Sequence, residues 1–129
     1  MKLGIIGSRK YPDSKEVRDF VKEVEATEIA SGGNPAGVDY WVMLEATQRP
    51  GVTYVEFTPN HYPANQYSRG YKKSRYYISN FFERNTKLVK YCDKVIVFMA
   101  EQSPGSSHVL RECHRLHKEH EVKGMACPY

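Results

Sequence analysis

The chain has few cysteines, little net charge and no long apolar run, and each shortage excludes something. No stretch approaches the roughly 18–20 apolar residues needed to cross a bilayer, so no membrane association is expected. The start of the chain carries one lysine and a short apolar run without a cleavage region, so no signal peptide is expected. Only three cysteines occur (Cys92, Cys113 and Cys127), without paired spacing, and they read as reduced thiols of a cytoplasmic protein. The 19 Lys+Arg against 15 Asp+Glu leave a formal charge of +4. That excess suits a small anionic ligand and is too weak for a DNA-coating surface. A Walker-type lysine and a complete GxGxxG pattern are both missing, which excludes a P-loop NTPase and a standard dinucleotide domain. There is no internal repeat, linker or low-complexity tract.

What is present is a regular alternation. With 129 residues, 40% of them apolar, the chain has the length of one domain, 1–129, with a buried core. Residues 3–6 form a short β-branched run closed by Gly7, as a buried strand would be. Asp13 and Glu16 have capping-box spacing, and Val17, Phe20, Val21 and Val24 then recur on one helical face. Residues 28–31 read as a second strand, 38–48 as a helix and 52–57 as a third strand. Helical spacing returns with Ile78, Phe81, Phe82, Leu88 and Val89. Residues 94–99 are the most strand-like in the chain, and a final helix runs through Val109, Leu110, Cys113 and Leu116. A weak edge strand is expected at 122–127. Strands alternating with helices predict an α/β fold, a single Rossmann-like three-layer α/β/α domain with a mainly parallel sheet of about five strands. The pattern fails over about 58–77, a Tyr/basic-rich insertion longer than most connections within a compact domain.

In an open parallel sheet, ligands bind beyond the carboxyl ends of the strands. Three Gly/Ser turns fall there: Gly7-Ser8-Arg9, then Ser31-Gly32-Gly33 leading to Asp39, then Ser103-Pro104-Gly105-Ser106-Ser107. Glycine admits close backbone approach, and a helix start offers free N–H groups to phosphate. The hydroxyls of Ser31, Ser103, Ser106 and Ser107 and the guanidinium of Arg9 add donors. Arg84-Asn85 interrupts an apolar helix face and needs partners, in a ligand or in a pocket network.

These motifs, with Asp93-Lys94-Val95-Ile96-Val97-Phe98 and His108, occur in the order of the SLOG superfamily. That superfamily links the DNA-processing protein DprA with the LOG phosphoribohydrolases, and the chain most resembles its small stand-alone YspA-like branch. The resemblance implies a Rossmann-like fold that binds nucleotides or nucleotide-derived signals. It places Gly7, Ser8, Arg9, Ser31, Gly32, Gly33, Asp39, Arg84, Asn85, Gly105 and Ser106 in the pocket, and it implies a homodimer or larger homo-oligomer. LOG enzymes carry a Gly-Gly-x-Gly-Thr-x-Glu signature whose Glu assists N-glycosidic cleavage. Here His108 stands in that position, and a neutral His cannot supply the negative charge.

The reading is therefore a ligand-binding module, a sensor or sequestering protein for a nucleotide-like molecule, rather than a catalyst, with no required cofactor and no metal site. Ser103, Ser107 and His108 join the binding residues. An alternative is a phosphoribohydrolase or nucleoside N-glycosidase using Glu112 or Glu101. Another is a DprA-like single-stranded DNA-binding module using Arg69, Lys72, Lys73 and Arg75 among the tyrosines of 67–77. The weak net charge sets nucleic acid below a lid or subunit-contact role for that segment. His114 and His117, at i and i+3, can share a helix face, but His120 at i+6 is expected to point well away from His114, which is poor geometry for three metal ligands.

Overall fold

Strand β1 (Lys2–Gly7) runs through the middle of the sheet, with Leu3, Gly4, Ile5 and Ile6 all buried. The computed structural model describes residues 1–59, 78–100 and 103–124. After β1 come α1 (Ser14–Glu23), β2 (Glu28–Ser31), α2 (Val38–Ala46), β3 (Thr53–Glu56), α3 (Ile78–Tyr91), β4 (Lys94–Met99), α4 (Pro104–Arg115) and β5 (Glu119–Gly124). The strands order as β3-β2-β1-β4-β5, and every adjacent pair is parallel.

Parallel strands need crossover helices, and those helices cover both faces of the sheet. On one face Leu3, Ile5, Ile96 and Phe98 pack against Val17 and Val21 of α1 and Val38 and Val42 of α2. On the other, Ile6, Val95 and Val97 meet Leu88 and Val89 of α3 and Val109 and Cys113 of α4. Each such aliphatic side chain stabilises the fold by roughly 1.5–3 kcal/mol through removal from water. This is the expected three-layer α/β/α domain. Among the described residues no helix is long and apolar enough to cross a membrane.

Local chemistry sets the element ends. Asp13 accepts the Glu16 N–H at 3.0 Å and so caps α1. The Glu16 carboxylate does not close the capping box and instead accepts the Tyr11 hydroxyl at 2.7 Å. Helix α2 stops at Ala46, two residues before the expected end. The last strand is Glu119–Gly124 rather than 122–127, because an edge strand with one exposed face can be polar. The expected insertion falls almost wholly at 60–77, outside the described residues.

The histidine expectation is corrected. Helix α4 ends at Arg115, His117 adopts a left-handed φ of 54°, and the chain reverses into β5. That reversal brings the rings of His114 and His120 to 4.8 Å. The i to i+6 argument assumed a helix that does not continue.

Candidate functional site

The connections leaving β1 and β4 go to opposite sides of the sheet, so their carboxyl ends flank the switch point where such folds bind ligands. Ser8 bridges this gap. Its Oγ accepts the Ala100 N–H at 3.0 Å and donates to Ser103 Oγ at 2.7 Å. Ser103 Oγ then donates to Ser106 Oγ at 2.9 Å. The expected residues Ser8, Ser103 and Ser106 are thus one hydroxyl chain across the crevice. Because Ser103 is engaged there, it makes no side-chain cap bond to α4, which starts at Pro104, and the Gly105 and Ser106 amides of its first turn are left without a side-chain cap. Gly105 has open space where a Cβ would stand. Ser107 is half-buried, its N–H bonded to the Ser103 carbonyl at 2.9 Å. Arg9 is exposed beside Ser8.

On the other side of β1, Gly37 starts α2 with φ +75°, and a Cβ there would lie 2.5 Å from the Arg9 backbone. Only glycine lets the turns after β1 and before α2 touch in this way. Gly7 donates its N–H to Asp39 Oδ1 at 3.3 Å, and Asn34 donates to Oδ2 at 3.4 Å. A Cβ on Gly32 would lie 2.5 Å from Arg84 Nη1 and 2.7 Å from Asp39 Oδ2. Asp39 is only 5% exposed, and burial raises its pKa from 3.8 to about 6 against the opposing pull of Arg84 and the two amides. Ser31, fully buried with a hydroxyl that makes no well-formed hydrogen bond, adds a weaker pull on the same carboxylate. Gly33 sits beside the Glu56 carboxylate of β3.

Arg84 faces inward from α3. Its Nη1 donates to the Gly32 carbonyl and to the Phe57 carbonyl at 3.1 Å, and Nε donates to Asn85 Oδ1 at 2.8 Å. The arginine thus holds the turn after β2 in place. With Oδ1 facing a guanidinium, Asn85 must present its NH2 to the Gly105 carbonyl at 3.4 Å and to His108 Nδ1 at 3.2 Å. His108 Nδ1 is then an acceptor and the ring is neutral. Its pKa is lowered, chiefly by burial. The ring stacks on Phe82, with centroids 3.9 Å apart and planes 10° apart. In the sequence Phe82 reads only as an apolar helix position, and its partner is separated from it by β4. No local pattern marks that pair.

Of the two candidate carboxylates for catalysis, Glu112 is engaged by neighbours of its own. Glu112 accepts Thr86 Oγ1 at 2.5 Å and Arg115 Nε and Nη2 at 2.8 and 2.7 Å. Arg115, with Thr86, holds its carboxyl down at about 2, so it is no proton donor at neutral pH. Glu101 lies outside the described residues, as do Arg69, Lys72, Lys73 and Arg75. Among the described residues no group of three or more His, Cys, Asp or Glu side chains can hold a metal. A shallow cavity of about 420 Å³ opens at the opposite, amino end of the sheet, lined by Met1, Glu25, Ala26, Thr27 and Arg49. It lacks the converging helix starts and hydroxyls of the carboxyl edge.

No family model matches the chain, and no curated protein matches it by sequence. Among solved structures it is similar to DNA processing protein A (DprA) of Helicobacter pylori, whose single-stranded DNA binding mode that structure describes. The TM-score is 0.69 and the identity 21%, over 99% of this chain and 67% of that one. It is also similar to DprA of Streptococcus pneumoniae, with a TM-score of 0.67 and 19% identity, over 98% of this chain and 51% of that one. The chain therefore spans about two thirds and about half of these neighbours' lengths. The expectation set against nucleic acid as a partner is corrected here, because a neighbour in the same fold binds single-stranded DNA. A total charge is a poor guide where a few local donors meet the backbone of a single strand. The chain has the Rossmann-like α/β fold of the DprA proteins.

Proposed function

We propose that the chain is a DprA-like module that binds single-stranded nucleic acid along the carboxyl edge of its sheet. The observation that carries this reading is the convergence of the Ser8–Ser103–Ser106 chain, the uncapped start of α4 above the open Gly105, and the exposed Arg9 at one switch point. Backbone N–H groups and hydroxyls take phosphodiester oxygens, and Arg9 supplies charge. The composition of 67–77, four tyrosines and four basic residues, adds stacking faces and cations to the same reading.

The test is fluorescence anisotropy of a labelled oligodeoxythymidine between about 50 and about 200 mM salt. Binding weakens steeply with salt. Arg9→Ala lowers the affinity, and it lowers the magnitude of the salt slope by a little under one for each phosphate that the arginine neutralises. Absence of binding at the lowest salt, or affinity indifferent to salt, refutes the proposal.

A second reading, a nucleotide-derived small ligand sensed or sequestered at the same edge, is favoured by the compactness of the serine chain, which suits one phosphate group. Mononucleotides that raise Tm where oligonucleotides do not would select it. Under either reading we propose that the chain is nearest the YspA-like branch, which its motif order resembles, and that it acts in the cytoplasm as a homodimer or larger homo-oligomer.

A further inference from the structure

Asp39 was expected to touch the ligand, yet its carboxylate is turned into the protein. It lies between the Gly7 amide at the end of β1 and the Asn34 amide in the turn after β2, 3.3 and 3.4 Å away. Arg84 approaches from α3 and is itself bonded to the carbonyl of Gly32. One buried side chain thus ties together three walls of the crevice: the end of β1, the glycine turn and α3. We propose that Asp39 is a positioning residue, a latch that holds these walls in the binding arrangement only while its carboxylate is ionised.

The neutral form has a different set of bonds. A protonated Oδ2 is a much weaker acceptor for the Asn34 N–H and no longer attracts the Arg84 charge. Its O–H needs an acceptor, and the buried Ser31 hydroxyl, without a well-formed bond of its own, is the neighbouring one. Protonation therefore weakens the tie to the turn and the attraction to α3 in favour of a bond to β2, and the Gly32–Asn34 turn keeps the Arg84 bond at Gly32 but loses its anchor at Asn34. The surrounding groups permit this. Arg84 is the cation facing Asp39. From β3, Tyr54 donates to Glu56 at 2.9 Å, and Glu56 lies beyond Gly33. From α4, His108 is reached only through Asn85. The carboxyl titrates at about 6, within reach of ordinary buffers.

The inference rests on the nucleic-acid reading for its affinity readout but not for its structural one. Anisotropy of the labelled oligodeoxythymidine is followed from pH 7.5 to pH 5 at constant ionic strength. If only the ionised form binds, affinity at pH 5 falls about tenfold. Simple electrostatics gives the opposite sign, since protonating His108 adds a positive charge that tightens binding to an anion. Asp39→Asn, which cannot titrate, loses the fall. Affinity that is flat or rises on acidification overturns the latch.

In parallel, the amide resonances of Gly7 and Asn34 are titrated in the unliganded wild-type protein. A shared transition near pH 6 with faster Asn34 hydrogen exchange below it supports the latch, and its absence overturns it. That measurement decides the matter if Asp39→Asn fails to fold. If the oligonucleotide binds at no pH, the nucleic-acid reading falls alone and the amide titration still judges Asp39.

Discussion

Asp39 makes stability depend on pH in the direction opposite to most carboxylates. A carboxyl whose pKa rises from 3.8 to about 6 on folding binds its proton more tightly in the native state. Between those values the folded chain carries more protons than the unfolded one, so stability falls as pH rises. The contribution is fully present below about pH 3.8 and gone above about pH 6. At about 1.4 kcal/mol per pH unit, the whole effect is roughly 3 kcal/mol, of which about 2 kcal/mol falls between pH 4.5 and pH 7.5. The measurement is urea unfolding of the wild type and Asp39→Asn at those two pH values, read as free energies by linear extrapolation. Every other titrating group cancels in the comparison. The variant is expected to gain about 2 kcal/mol on the wild type between the acidic and the neutral condition, whatever its absolute stability. A constant difference between the two proteins across that range refutes the claim that burial governs this carboxyl.

Glu112 should behave in the usual sense, since Arg115 and Thr86 hold its carboxyl down at about 2. Its contribution is present above the ordinary value of 4.5 and disappears as pH falls towards 2. Glu112→Gln should cost about 1–2 kcal/mol at neutral pH by chemical denaturation, discounted because Arg115 is largely in water. No loss at neutral pH would show the cluster to be inconsequential. Gly32→Ala should destabilise by about 1–3 kcal/mol, because its Cβ meets Arg84 and Asp39 well inside contact distance. Gly105→Ala should be neutral or stabilising by up to about 1 kcal/mol, since helix propensity improves and nothing stands in the way. Equal Tm changes in the two glycine variants would contradict the packing described.

Most of the architecture was legible in the chain. Runs such as residues 3–6 and 95–99 are apolar on every position because central parallel strands are covered on both faces. Those fully apolar runs, alternating with helical spacing, leave few folds other than a doubly covered sheet. The glycine and serine turns marked the carboxyl edge of the sheet, because strand ends and helix starts impose residue types that can be seen locally. Local signals weakened where burial is partial. The polar β5 was misplaced by three residues because its edge position demands little of its sequence. The insertion at 58–77 announced itself only by composition.

What the side chains do was decided by the tertiary structure. Whether Asp39 faces a ligand or the protein depends on Gly7, Asn34 and Arg84, which come from three different elements. The stacking of Phe82 on His108 and the capture of Glu112 by Thr86 join α3 to α4 across an intervening strand. His114 and His120 meet only because the chain reverses between them. The sequence by itself determined the periods that choose strand or helix, since those depend on neighbours a few residues away. Burial, partners and protonation are properties of the packed assembly, and packing alone settled them.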